Sequence, residues 1–98
     1  MKRTFDLVNF PNQRFSTLSN GYSVEFALRT FRGIVYASVY IDNELACAGR
    51  PCLPNERIFP KRVERRIGAS AYFACDTDEY PSYEAFNTPG CVFTLEDL

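Results

Sequence analysis

The sequence contains no histidine and no tryptophan among its 98 residues. The absence of histidine excludes Ser-His-Asp and Cys-His nucleophilic machinery, and with it the commonest general acid and base. A catalytic cysteine would then need a positively charged setting, and only Cys52, close in sequence to Arg50 and Arg57, has one. We interpret Cys52 as a structural thiol and predict that the protein is not an enzyme.

Long apolar runs are also absent, since none approaches the roughly 18–20 residues of a membrane span. The first residues, 1–6, are basic but lack the apolar segment of a signal peptide. We therefore expect a soluble protein made in the cytoplasm, with no membrane partner. The apolar content of 46%, with nine Phe and six Tyr, excludes a disordered chain. The length predicts one domain, residues 1–98.

Positive charge is absent after Arg66. Residues 1–66 carry 11 basic and 6 acidic side chains, a net +5, whereas residues 67–98 carry 6 acidic side chains and no basic one, a net −6. Complementary patches of this kind could join copies head to tail. Alternatively, the two sets lie side by side on one small fold and cancel, and this is the arrangement we favour.

Four cysteines are present, and only Cys47 and Cys52 are close together in sequence. Structural zinc sites usually use closely spaced cysteine pairs, so we predict no metal and no cofactor. A zinc site formed by the cysteines is kept only as a subordinate hypothesis, behind the two functions given at the end of this section. Without an export signal we expect free thiols, with Cys47, Cys75 and Cys91 acting as small buried apolar residues.

Alternating apolar and polar residues predict that most of the chain is β-strand. The predicted strands are 3–8, 13–18, 22–30, 34–41, 44–48, 67–75 and 91–95, separated by Pro, Gly, Asn and Asp turns. The predicted fold is all-β, a small antiparallel β-barrel or sandwich of about six to seven short strands. Residues 34–41 are apolar on both faces, which predicts a central strand or one covered by a partner chain.

Two segments interrupt this pattern and could form contacts with other molecules. Residues 51–66 form an irregular Pro-rich basic segment, in which residues 61–66 could be one helical turn or a loop. Its cations, together with aromatic residues of the polar loop 76–89, make up our candidate interface: Arg57, Lys61, Arg62, Arg65, Arg66, Tyr80, Tyr83 and Phe86. For the cations we favour pairing with acidic residues of a neighbouring protein over binding to nucleic acid. For the aromatic loop two interpretations stand equally: an interface, or Tyr83 and Phe86 folded back over one end of the barrel.

The succession of motifs along nearly the whole chain resembles the phage baseplate plug family. The matching motifs are Pro11-Asn12-Gln13-Arg14-Phe15 with Gly21-Tyr22, then Asp42 to Leu53, then Gly68 to Phe73 with Asp76, Asp78 and Pro81-Ser82-Tyr83. Within these motifs the residues assigned to turns and to the fold are Pro11, Gln13, Gly21, Gly49, Pro51 and Gly68.

The resemblance implies a structural subunit of a tailed-phage baseplate, assembled in the host cytoplasm and located in the central hub below the tail tube of the virion. Its implied partners are hub, tail-tube or tape-measure proteins and further copies of itself in a ring. Nucleic acid is expected only as DNA passing through the tube. The alternative, suggested by the basic segment and the aromatic residues, is an OB-like module that binds single-stranded nucleic acid.

Overall fold

The computed structural model describes residues 2–86 and 90–98, and most of them lie in seven β-strands. The strands are β1 (Lys2–Phe5), β2 (Asn12–Ser19), β3 (Tyr22–Phe31), β4 (Ile34–Ile41), β5 (Glu44–Pro51), β6 (Ala69–Cys75) and β7 (Cys91–Asp97). One α-helix, α1 (Lys61–Ile67), and one 3₁₀ turn (Tyr83–Ala85) complete the described elements. The all-β prediction is confirmed, and residues 87–89 at the end of the predicted polar loop lie outside the described residues.

The strands form two antiparallel sheets that pack as a sandwich. One sheet has the order β2-β3-β4-β5, and the other has the order β1-β7-β6, so that the first and last strands are neighbours. Between the described strands the sheets do not close into a barrel, so the sandwich is the correct alternative of the two predicted. An OB-fold, by contrast, is a five-stranded Greek-key barrel. Strand β4 lies inside its sheet, as its two-sided apolarity predicted.

Three two-residue turns connect β2 to β5. Both central residues of each turn have positive φ angles, namely Asn20 and Gly21, Arg32 and Gly33, and Asp42 and Asn43. This is the geometry of type I′ turns, whose twist matches that of the flanking strands. The turns predicted at these positions are confirmed, and each one sets the strand register on both of its sides.

The core between the two sheets is built around phenylalanine rings. Phe93 on β7 lies at its centre, and its ring centroid is 5.0–5.9 Å from four other rings, those of Phe5, Phe15, Phe26 and Phe73. Phe59 stacks on Phe26 and Phe86 stacks on Phe73, which extends the cluster at two points. The rings therefore bridge both sheets and the segments between them.

The segment between β5 and β6 is more regular than predicted. Residues 54–58 run along the outer edge of β6, where the amide of Ile58 donates to the carbonyl of Ala71 at 2.8 Å. Helix α1 follows, and Gly68 ends it with a φ of 67°, a left-handed conformation that suits glycine. The prediction of a strand starting at Ile67 was wrong by two residues, because Ile67 closes the helix with its side chain in the core.

The first strand is shorter than predicted and ends at Phe5. The residues after β1 are held by the side chain of Gln13. Its amide nitrogen donates to the carbonyls of Val8 and Phe10, and its oxygen accepts from the backbone amide of Val8. The Gln13 side chain thus forms the hydrogen bonds to these backbone groups that a neighbouring strand would otherwise form. Among the described helices none is long and apolar enough to cross a membrane.

Candidate assembly interface

Helix α1 presents most of the predicted cations to solvent. Val63, Glu64 and Ile67 face the core, and the exposed side chains are Lys61, Arg62, Arg65 and Arg66. Arg57, just before the helix, is exposed as well. The structure therefore brings the five cations together around one short amphipathic helix.

Three of these five cations have partners within the chain. Arg57 forms an ion pair with the buried carboxylate of Glu64, at 3.6 Å, and that carboxylate also accepts from the hydroxyl of Ser70. Arg62 donates to the carbonyl of Ala46 at 2.9 Å. The guanidinium of Arg66 lies 5.8 Å from the ring centre of Tyr22. These three side chains therefore help to fix the helix against the sandwich.

The side chains of Lys61 and Arg65 are different, because within residues 2–86 and 90–98 neither side chain makes a hydrogen bond or an ion pair. Together with Glu64, Gly68 and Leu98 they line an open groove of about 470 Å³. Two neighbouring cations without partners can accept carboxylates of another chain with little rearrangement. They are the part of the basic segment best placed to contact a partner.

The three aromatic residues predicted for the interface also differ from one another in exposure. Tyr80 is 55% exposed, whereas Phe86 is only 4% exposed and its ring stacks on Phe73 at 5.6 Å. Tyr83 is half-buried against the core, and its carbonyl accepts from the side chain of Asn9 at 2.9 Å. Of the two arrangements considered for Tyr83 and Phe86, folding back onto the core is the one found. Phe86 is thus a core residue and does not belong to the accessible surface.

A surface not included in the predicted interface is the outer face of the four-stranded sheet. Leu18, Phe31 and Leu45 on this face are 57–69% exposed, and Tyr36 and Tyr40 are half-buried. We call these five residues, with Ile34, the outer sheet face. The two-sided apolarity of residues 34–41 was the sequence signal for it, because only one of the two apolar faces of β4 can point into the core.

The outer sheet face also has polar features. Arg14 pairs with Glu25, and its guanidinium lies 5.3 Å from the ring centre of Tyr40. The small side chains of Ala27 and Ser38, paired across β3 and β4, both line a shallow groove of about 360 Å³, and Ser38 also lines a second groove of about 370 Å³. Aromatic residues and arginine are enriched at protein interfaces.

The six acidic side chains of residues 67–98 are divided between the two ends of β6, a strand about 20 Å long. Asp76, Asp78, Glu79 and Glu84 follow its far end. Asp97, which pairs with Ala69, and Glu96 lie at the end next to α1. The hydroxyl of Tyr72 donates to Glu96 at 2.7 Å, and this bond raises the pKa of Tyr72. Glu96 and Asp97 therefore lie near the cations of α1, whereas the other four acidic side chains lie at the opposite end of β6. This distribution is intermediate between two opposed charge patches and two sets that lie side by side and cancel.

The four cysteines are free. Cys52 is fully buried, and burial raises its pKa to about 12, so the thiol stays protonated at neutral pH. Burial likewise raises the pKa of Cys47. In the described part of the chain, no group of three or more cysteine, aspartate or glutamate side chains is placed to hold a metal ion. This environment suits structural thiols rather than nucleophiles.

The six turn and fold residues lie where they shape the backbone. Pro11 precedes β2 in the loop that Gln13 closes, and Gly21 completes the first type I′ turn. Gly49, with a φ of 62°, lies in the irregular part of the β4–β5 pairing, and Pro51 ends β5. The carbonyls of Ile67 and Gly68 accept from the side chain of Asn20, which ties the first turn to the end of α1.

Comparison with known proteins gives one family. Residues 3–96 match the family model described as cyanophage baseplate Pam3 plug gp18. Among curated proteins, no significant match is found. The family match spans every described strand except the first and last residues of the sandwich.

Proposed function

The chain belongs to the cyanophage baseplate Pam3 plug gp18 family, and from this membership we propose that it is a structural subunit at the central hub of the baseplate, below the tail tube. The family indicates a baseplate protein of the phage virion that assembles with other baseplate proteins. In this proposal the chain acts as one folded unit, through protein contacts rather than catalysis. Its neighbours are hub, tube or tape-measure proteins, and several copies form a ring.

The observation that carries the proposed mode of action is the outer sheet face. Phe31 and Leu45 lie at opposite ends of β4, and the tyrosines of β4 lie between them. Isolated apolar side chains are common on protein surfaces, but aromatic residues collected on one sheet face favour a partner. We propose that a neighbouring baseplate subunit packs on this face.

The size of the face indicates that a second contact is needed. Four strands of about eight residues present roughly 500 Å² on one face. A stable interface usually buries about 800 Å² on each partner. We propose that Lys61, Arg65 and Tyr80 supply further contacts, with Arg57, Arg62 and Arg66 supporting the helix. In this arrangement the cations of α1 meet carboxylates of a neighbour.

The test is incorporation of variants into phage particles. A phage that lacks this gene would be complemented by the wild-type chain or by the double variant Phe31→Ser, Leu45→Ser, and the chain would be quantified in purified particles by mass spectrometry. We expect the wild-type chain in the particles and at least a tenfold loss for the double variant. The matched control is Phe10→Ser, because Phe10 and Phe31 are both 63% exposed.

The possible results separate the parts of the proposal. Absence of the wild-type chain from purified baseplates would refute the baseplate role. Normal incorporation of the double variant would remove the outer sheet face from it. For the ring, light scattering of the purified protein across salt concentrations should show an oligomer that dissociates as salt rises, and Lys61→Glu, Arg65→Glu should weaken it. A monomer at every salt concentration would refute ring formation by this chain alone.

A further inference from the structure

We propose that Cys75 and Cys91 are a reversible oxidation site, at which a small-molecule disulfide converts the two thiols into an intramolecular disulfide. The two residues are directly opposite each other on β6 and β7, and their Sγ atoms are 3.5 Å apart. Both thiols are free. The inference concerns one chain alone and does not depend on the proposed assembly role.

The hydrogen bonds around the pair define its backbone geometry. The amide of Cys75 donates to the side-chain oxygen of Asn55, and its carbonyl accepts from the side-chain amide of the same residue, both at 2.9 Å. Both backbone groups of Cys75 therefore point away from β7, which makes the Cys75 and Cys91 pair a non-hydrogen-bonded one. In such pairs the Cα atoms are about 4.5 Å apart, within the range of 4.4–6.8 Å found for disulfides.

The site is open to a small reagent. Cys75 and Cys91 are half-buried, and they line a cavity of about 290 Å³ together with residues of the loop that follows β6, among them Asp76, Tyr80 and Ser82. Cys91 is close enough to Cys52 to add to the rise that burial causes in the pKa of Cys52, but Cys52 itself is fully buried. An oxidant can therefore reach the strand pair more easily than it can reach Cys52.

The reaction takes place in two exchange steps. The thiolate of Cys75 attacks one sulfur of the oxidant disulfide, forms a mixed disulfide and releases one small thiol. The sulfur of Cys91, after losing its proton, then attacks Cys75 Sγ and releases the second small thiol. Two protein thiols are oxidised by two electrons, and one small disulfide is reduced to two thiols. Burial, followed by the bond to Cys75, raises the pKa of Cys91 to about 12, so we assign the first attack to Cys75.

The disulfide would connect the adjacent ends of β6 and β7, next to the loop residues 76–86 that follow β6. That loop carries Tyr80 and four acidic side chains, so oxidation would restrict it without changing the strand register. The pair is therefore suited to form after folding rather than during it.

The test uses the purified full chain and oxidised glutathione. After oxidation, the unreacted thiols would be alkylated and the peptides mapped by mass spectrometry. We expect the loss of two of the four thiols, a Cys75–Cys91 peptide and full recovery of the thiols with dithiothreitol. Cys52→Ala should still form this link, and neither Cys75→Ser nor Cys91→Ser should form any intramolecular disulfide.

Several outcomes would overturn the proposal. These are a stable glutathione adduct on either cysteine without formation of the intramolecular disulfide, a disulfide that includes Cys52, or the formation of intermolecular disulfides only. Circular dichroism of each variant shows whether it is folded. If a serine variant fails to fold, the peptide map of the wild-type protein, which keeps all four cysteines, still decides between the Cys75–Cys91 link and its alternatives.

Discussion

The ring of Phe93 is the contact point of the two sheets, and its removal is the most sensitive test of the sandwich. Phe93 is 1% exposed and touches rings from β1, β2, β3 and β6. A buried phenylalanine removes about 200 Å² from water, worth about 5 kcal/mol as an upper value. Measured Phe→Ala substitutions in cores cost about 3–5 kcal/mol. We expect Phe93→Ala to lower the free energy of unfolding by about 4 kcal/mol.

This loss is large for a chain of this size. A domain of about 100 residues is stable by roughly 5–15 kcal/mol, so the variant should be only marginally folded. Each kcal/mol lowers the Tm of such a domain by about 4–8 °C, which predicts a fall of about 15–30 °C. Phe93→Leu keeps most of the volume and loses only the ring contacts, and it should cost about 1–2 kcal/mol.

The assay is urea unfolding followed by far-ultraviolet circular dichroism, with the Tm measured in parallel. Phe10→Ala is the matched control, because Phe10 is 63% exposed, and it should change stability by less than about 0.5 kcal/mol. A loss below about 1.5 kcal/mol for Phe93→Ala would contradict the reasoning. It would mean that the rings do not form one packed cluster between the sheets.

Three further predictions concern local devices of the fold. Gly68→Ala should cost about 1 kcal/mol in urea unfolding because of the positive φ, and Gly68→Asn should cost less. Gln13→Glu should destabilise the protein by about 1–2 kcal/mol, since a carboxylate cannot donate to the carbonyls of Val8 and Phe10; an unchanged midpoint would show that the loop does not need these bonds. Finally, stability should fall as pH rises from about 9 to 12, because the Cys52 thiol ionises near 8.5 when unfolded but its pKa is about 12 when folded. This decline should be shallower in Cys52→Ala.

The strands and their connecting turns could be predicted because both depend on local properties. Period-2 alternation in residues 22–30 follows directly from which side chains face the core. The turn at Asn20 and Gly21 follows from residues that accept positive φ. The end of the first strand was predicted less accurately, because after β1 the side chain of Gln13, rather than a neighbouring strand, binds the backbone groups.

The candidate interface was predicted less completely, because whether a side chain has a partner depends on distant residues. The sequence does not distinguish Arg62 and Arg66 from Lys61 and Arg65. In the fold, however, Arg62 donates to the carbonyl of Ala46, and Arg66 lies over the ring of Tyr22. Phe86 is part of an aromatic loop in the sequence, but in the fold it stacks on Phe73. The outer sheet face was only indicated, by the second apolar face of β4.

The sequence by itself determined the fold class, the positions of the strands and the exclusion of histidine chemistry, because periodicity, turn residues and composition act within a few neighbouring residues. The motif order also indicated the family that the comparison shows over residues 3–96. Only the tertiary structure decided that β1 lies beside β7, that Phe93 joins both sheets, and that Cys75 faces Cys91. These contacts bring together residues far apart in the chain, and their selection depends on how all the strands pack at once.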